Sequence, residues 1–179
     1  MITKLEALLG YYEDLMGKGR QEIDMAKVIG FALFSTRRLG EITNIKWNQV
    51  DDEGQRVLIK DMKGAGADTW CHVPDEAWVI INSIPRNNDG PFPYSVTSIN
   101  ASFNKACKVL KIKDLSFYDL RYEGIARLFE MGWEAPKAAS VSGHLELGAL
   151  GKHADLSGTG GQYKGWCWVE KIVASESVL

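Results

Sequence analysis

The stretch RVLIKDMKGAGADTWCHVP, residues 56–74, does most to limit the fold. Two short runs suited to strands, RVLIKD and TWCHV, flank the glycine-containing turn KGAGAD, and together they read as a β-hairpin. It is the main β signal in the chain. Elsewhere the apolar pattern is helical: Leu5, Leu8, Leu9, Tyr12 and Leu15 predict a helix over 5–16 that Gly17 and Gly19 end. Further helices are expected at 24–34, from 39 into EITNIKW with Ile42 and Ile45 inward, and then at 74–84, 96–110, 119–131, 135–142, 146–153 and 163–174. Around STRR the chain must turn, which leaves Arg37 and Arg38 at a helix start. The expected fold is a single domain over 1–179, mainly α with a small β-hairpin or sheet (α+β).

Several function classes are excluded by what the chain carries. A formal net charge of −2 gives no global attraction to nucleic acid or to an anionic membrane, so either role needs a local basic patch. The longest apolar run, VIGFALF, is far too short to span a bilayer, and the N-terminus MITKLEALLG carries charges where a signal sequence needs unbroken apolarity. Neither secretion nor membrane embedding is expected. Cys71, Cys107 and Cys167 are odd in number and form no C-x-x-C pair, which disfavours a disulfide framework and a structural zinc site. They read as free thiols of a reducing cytoplasm, and no metal or cofactor is expected. Gly158, Gly160 and Gly161 lack the spacing of a phosphate-cradling loop and read as a joint before the last helix. Ser140 and Ser142 do not form a G-x-S-x-G elbow.

Four separated features remain. In STRRLGEI, Arg38 stands three residues before Glu41 on one helix face, where the carboxylate can hold the guanidinium. Lys63 sits in the hairpin turn, Arg121 follows Tyr118 by three residues in SFYDLRYEGIARLFEMG, and His144 ends SGH. Each is ordinary alone. The segment YEGIARLFEMGWEAPKAASVSGH also fits either a helix-turn-helix or two plainly packed helices.

In their order, these features resemble the catalytic domain of tyrosine recombinases, the phage integrase family, over residues 20–174. FALFSTRRLGEITNIKWNQVD and FYDLRYEGIARLFEMG are the most specific parts. The resemblance implies that Arg38 and Arg121 are catalytic arginines, Lys63 the hairpin lysine and His144 the late histidine. It implies double-stranded DNA as partner and self-association on DNA through the C-terminal helix. It also implies a core-binding domain that usually precedes the catalytic one and is expected to be missing from these residues.

Such a site suits phosphodiester chemistry, because two guanidiniums can clamp the non-bridging oxygens of a pentacoordinate phosphorus without a metal. A basic surface at Arg37, Arg38, Lys60, Lys63 and Arg121 is expected to meet the duplex. Two positions depart from the family pattern. Tyr118 stands where the second box, H-x-x-R, has histidine; a phenol donates a hydrogen bond but shuttles protons poorly near neutrality. His153 stands where similar proteins carry the nucleophilic tyrosine, so ordinary tyrosine-mediated cleavage is expected to be impaired or absent. Three alternatives follow: a degenerate site, Tyr163 as alternative nucleophile, or attack by His153 itself. A site-specific recombinase of a mobile element is the expected function; a non-cutting relative and a helix-turn-helix regulator are the alternatives.

Overall fold

The computed structural model describes residues 1–19, 22–60, 67–143, 150 and 163–174. Helix α1 spans Ile2–Gly17, α2 Met25–Ser35 and the short α3 Leu39–Ile42. Strands β1 (Val50–Asp51), β2 (Arg56–Ile59) and β3 (Thr69–His72) form an antiparallel sheet in the order β1-β2-β3. Helices α4 (Asp75–Asn82), α5 (Val96–Val109), α6 (Asp119–Glu130), α7 (Ala135–Ser142) and α8 (Trp168–Ala174) follow.

Helix α2 is the axis of the molecule. All of its residues are buried, as a helix apolar on every side must be, and it packs against α1, α4, α5, α6 and α8. Asp24 caps it by accepting from the Lys27 amide at 3.1 Å. Thr36 ends it in the left-handed region, with φ 55°. The approach of α6 depends on Gly124, where an added Cβ would lie 2.0 Å from the Leu33 carbonyl oxygen of α2. With no side chain there, the second turn of α6 comes to rest beside the end of α2. The other side of α6 packs on α7 through a smaller core that includes Leu128, Phe129, Ala138 and Val141. Helix α7 also contacts β3, so the α6–α7 segment is arranged as two packed helices.

In the sheet, Val57 pairs with Cys71 and Leu58 with Trp70. Val57 and Cys71 face the core, while Trp70 turns outward under the Arg56 guanidinium, 4.7 Å from its ring centroid. This is the expected hairpin, with β1 added along its far edge.

The third helix is shorter than its apolar spacing predicts. Asn44 turns its side-chain amide back onto the Gly40 carbonyl at 2.7 Å, and the Trp47 amide donates to the Asp89 carbonyl at 3.0 Å, so the chain leaves the helix after Ile42. Ile45 is buried nonetheless. The last helix starts at Trp168, later than expected, after a turn in which Gly165 has φ 71°. It lies on α2 and α4 of its own chain, with Ile172 buried and the Trp166 indole donating to Glu6 at 3.0 Å. The helix expected at 146–153 lies outside the described residues. Among the described residues no helix is long and apolar enough to cross a membrane.

Candidate active site

The left-handed Thr36 reverses the chain, and Arg38 continues extended with φ −70° and ψ 144°. Consecutive arginines therefore point in opposite directions. The Arg38 side chain is half exposed at 50%, while that of Arg37 is turned inward at 3%. Glu41, one turn along α3, holds both. Its carboxylate accepts from Arg38 Nη1 at 2.9 Å and from the Arg38 amide at 3.1 Å, and lies 3.3 Å from Arg37 Nε. Burial works to raise the Glu41 carboxyl, but the Arg37 charge and the Arg38 hydrogen bonds outweigh it and hold the group below its ordinary value.

Arg121 reaches the same place from the first turn of α6. It is only 3% exposed, and its Nη1 donates to the Thr36 carbonyl at 2.5 Å and to the Ser142 carbonyl at 3.0 Å. These carbonyls stand at the C-terminal ends of α2 and α7, where helix dipoles favour a cation. Burial, followed by the Arg38 and Arg37 charges, lowers the Arg121 guanidinium to about 10. It still carries its charge at neutral pH. Arg37, Arg38, Tyr118 and Arg121 line one cavity of about 130 Å³, to which α5 contributes Val96 and Asn100. The two arginines expected to work together thus converge.

Arg37 does more than its place in the sequence suggests. Its Nη1 donates to the Cys71 thiol of β3 at 2.8 Å, and the Cα of Gly143 closes over its Nη2, where an added Cβ would lie only 2.2 Å away. Burial raises the Cys71 thiol above its ordinary value, against the opposing Arg37 charge. One guanidinium thereby ties α3, the hairpin and the end of α7 around the cavity. Nothing in the spacing of Cys71 or Gly143 signals this, because the contacts depend on the turn at Thr36.

Lys60 pairs with Asp68 across the hairpin at 2.5 Å. Tyr118 is exposed beside the cavity. Lys63, His144 and His153 lie outside the described residues. Tyr163 is 7% exposed; its hydroxyl donates to Glu123 at 2.8 Å and its ring packs on Phe34 and Trp166. Burial and the Glu123 hydrogen bond raise its phenol well above the usual range. Glu123 is two residues after Arg121, roughly 200° around the helix, so that hydroxyl is held on another side of α6.

Residues 3–157 match the family described as "Phage integrase family". The chain is 29% identical over 150 residues to a shufflon-specific DNA recombinase of Escherichia coli, covering 82% of this chain and 37% of that protein. It therefore spans little more than a third of that relative. The fold is similar to that of XerA recombinase, with TM-score 0.65, 15% identity, and coverage of 89% of this chain and 61% of the other. A lambda integrase dimer bound to a COC′ core site gives TM-score 0.67 and 15% identity, with coverage of 87% and 47%. At those identities the likeness is one of fold, but the family match takes in most of the chain, and this protein belongs to the phage integrase family.

Proposed function

We propose that the chain is the DNA-binding catalytic domain of a site-specific recombinase, built for strand cleavage and rejoining on double-stranded DNA. The observation that carries this reading is the convergence of Arg38 and Arg121 on one cavity, with guanidiniums supplied by separate elements. In the proposed reaction a nucleophile bonds to the phosphorus as the bond to the 5′ oxygen breaks. Arg38 and Arg121 hold the non-bridging oxygens, where charge develops, and Lys63 gives its proton to the departing oxygen. His144 supplies a further hydrogen bond. Rejoining is the reverse displacement by the 5′ hydroxyl. No step calls for a metal.

The nucleophile sets the limit of this activity. With histidine at position 153 and the Tyr163 hydroxyl bound to Glu123, impaired cleavage is the favoured form of the reading, and a non-cutting relative that keeps the DNA site is the second. A suicide duplex nicked beside the cleavage site tests both. Covalent capture only by His153→Tyr is the expected result. Capture by the unmodified chain that disappears in Tyr163→Phe would assign the nucleophile to Tyr163, and an acid-labile adduct lost in His153→Ala would assign it to His153.

Self-association on DNA is proposed to run through the segment beginning at Tyr163. Released from α2 and α4, α8 and the turn before it present Trp166, Trp168, Val169 and Ile172, too much apolar surface to leave in water. Removal of residues 161–179 is expected to abolish pairing on DNA, as read by sizing of the complex.

A further inference from the structure

Tyr118, which caps the start of α6, and Tyr122, one turn along it, have ring centroids 5.1 Å apart at 84°. Both are exposed, at 50% and 38%. A single exposed aromatic side chain is ordinary. This pair, however, packs edge to face, and Tyr118 lines the same cavity as Arg38 and Arg121. Val96, itself 39% exposed, and Asn100 add to that lining from α5. The cavity therefore combines the Tyr118 ring, an aliphatic wall, three guanidiniums and a side-chain amide able to donate and accept. Its volume, about 130 Å³, far exceeds the ~10–15 Å³ that one water needs, so it admits a group of several heavy atoms such as a phosphate.

We propose that this cleft takes a DNA phosphate whose neighbouring nucleotide is unpaired, with the base against Tyr118 and Tyr122 and its edge offered to Asn100. The proposal rests on the reading of the cavity as a DNA-phosphate site and adds which DNA it prefers. Within a paired duplex the faces of each base are covered by its neighbours, so a tyrosine ring finds no free π surface. A flap, a gap or a frayed end provides one. Stacking on an aromatic side chain favours such a nucleotide regardless of its sequence, while the guanidiniums hold the adjoining phosphate. The two preferences coincide where an unpaired nucleotide adjoins a backbone phosphate, as at a flap.

The test compares three nicked duplexes titrated with the whole 179-residue chain. One is fully paired at the nick, one carries an unpaired one-nucleotide flap of 2-aminopurine, and one carries the same flap without its base. The base-containing flap is expected to bind roughly tenfold tighter than the other two, with its fluorescence quenched in the complex. Tyr118→Phe keeps the preference and the quenching; Tyr118→Leu loses both. Equal affinity for the base-containing and abasic flaps overturns the proposal, as does quenching that survives in Tyr118→Leu and Tyr122→Leu or vanishes in Tyr118→Phe. Binding to all three duplexes with one affinity leaves the DNA reading standing and removes the stacking. Failure to bind any of them removes the DNA reading itself.

Discussion

Helix α6 carries two arginines, Arg121 and Arg127, that are equally buried at 3% and are held in opposite ways. Arg127 is paired with the Glu76 carboxylate and lies 4.7 Å over the ring of Phe34. Arg121 donates to neutral carbonyls and faces the cavity with Arg38 and Arg37 near it. The Arg127 charge is neutralised where it sits and serves the fold. That of Arg121 is held by backbone carbonyls on the wall of the cavity, with the Glu41 carboxylate among the charges that act on it. Burial alone is therefore a poor guide to role, and the surface that each side chain lines is a better one.

The largest effect on this comparison is expected from Gly124→Ala, since both arginines depend on the contact between α2 and α6. Its Cβ would meet a backbone oxygen at 2.0 Å, which no rotamer change can relieve. A stability loss at or beyond the upper end of ~1–3 kcal/mol is expected from the urea midpoint. Substitutions at the two arginine sites should then separate. Glu76→Gln leaves the Arg127 charge buried without its carboxylate and should cost about 2 kcal/mol, between the values for exposed and buried pairs, because Glu76 is 34% exposed. It should leave duplex affinity unchanged. Arg121→Met removes a poorly solvated charge but strands two carbonyls, so stability should stay within about 1 kcal/mol while duplex affinity falls. The opposite pattern, stability lost at Arg121 and affinity lost at Glu76, would break the comparison.

A smaller effect should appear in acid. The folded Glu41 carboxyl lies below its ordinary value of 4.5, so the stability it contributes is present above about 4.5 and is lost as pH falls through the depressed value. Glu41→Gln should flatten that limb of the stability profile. A mutant profile parallel to that of the parent protein would separate the carboxylate from the arginines it contacts.

How much of this was legible in the sequence follows the range of the signals. The helices α1, α4, α5, α6 and α7 were readable because apolar spacing and terminal residues such as Ser95, whose hydroxyl accepts from the Ser98 amide at 3.0 Å, are local. The pairing of Arg38 with Glu41 was readable for the same reason. Strand β1 was not, since two residues carry no alternation. The inward course of Arg37 was hidden as well, because it depends on one left-handed residue and on a thiol and a glycine distant in sequence. The partners that orient Arg121 are backbone carbonyls, which no residue type announces.

The most direct test of a phosphate clamp formed by Arg38 and Arg121 is the salt dependence of duplex binding. The logarithm of the association constant is measured against the logarithm of salt concentration for the parent chain, Arg38→Ala, Arg121→Met and the double variant. Removing one guanidinium that neutralises a phosphate should reduce the magnitude of the slope by roughly 0.9. Folded variants that bind with lowered affinity and stepwise shallower slopes are the predicted result; affinity and slope unchanged in the double variant would contradict the assignment.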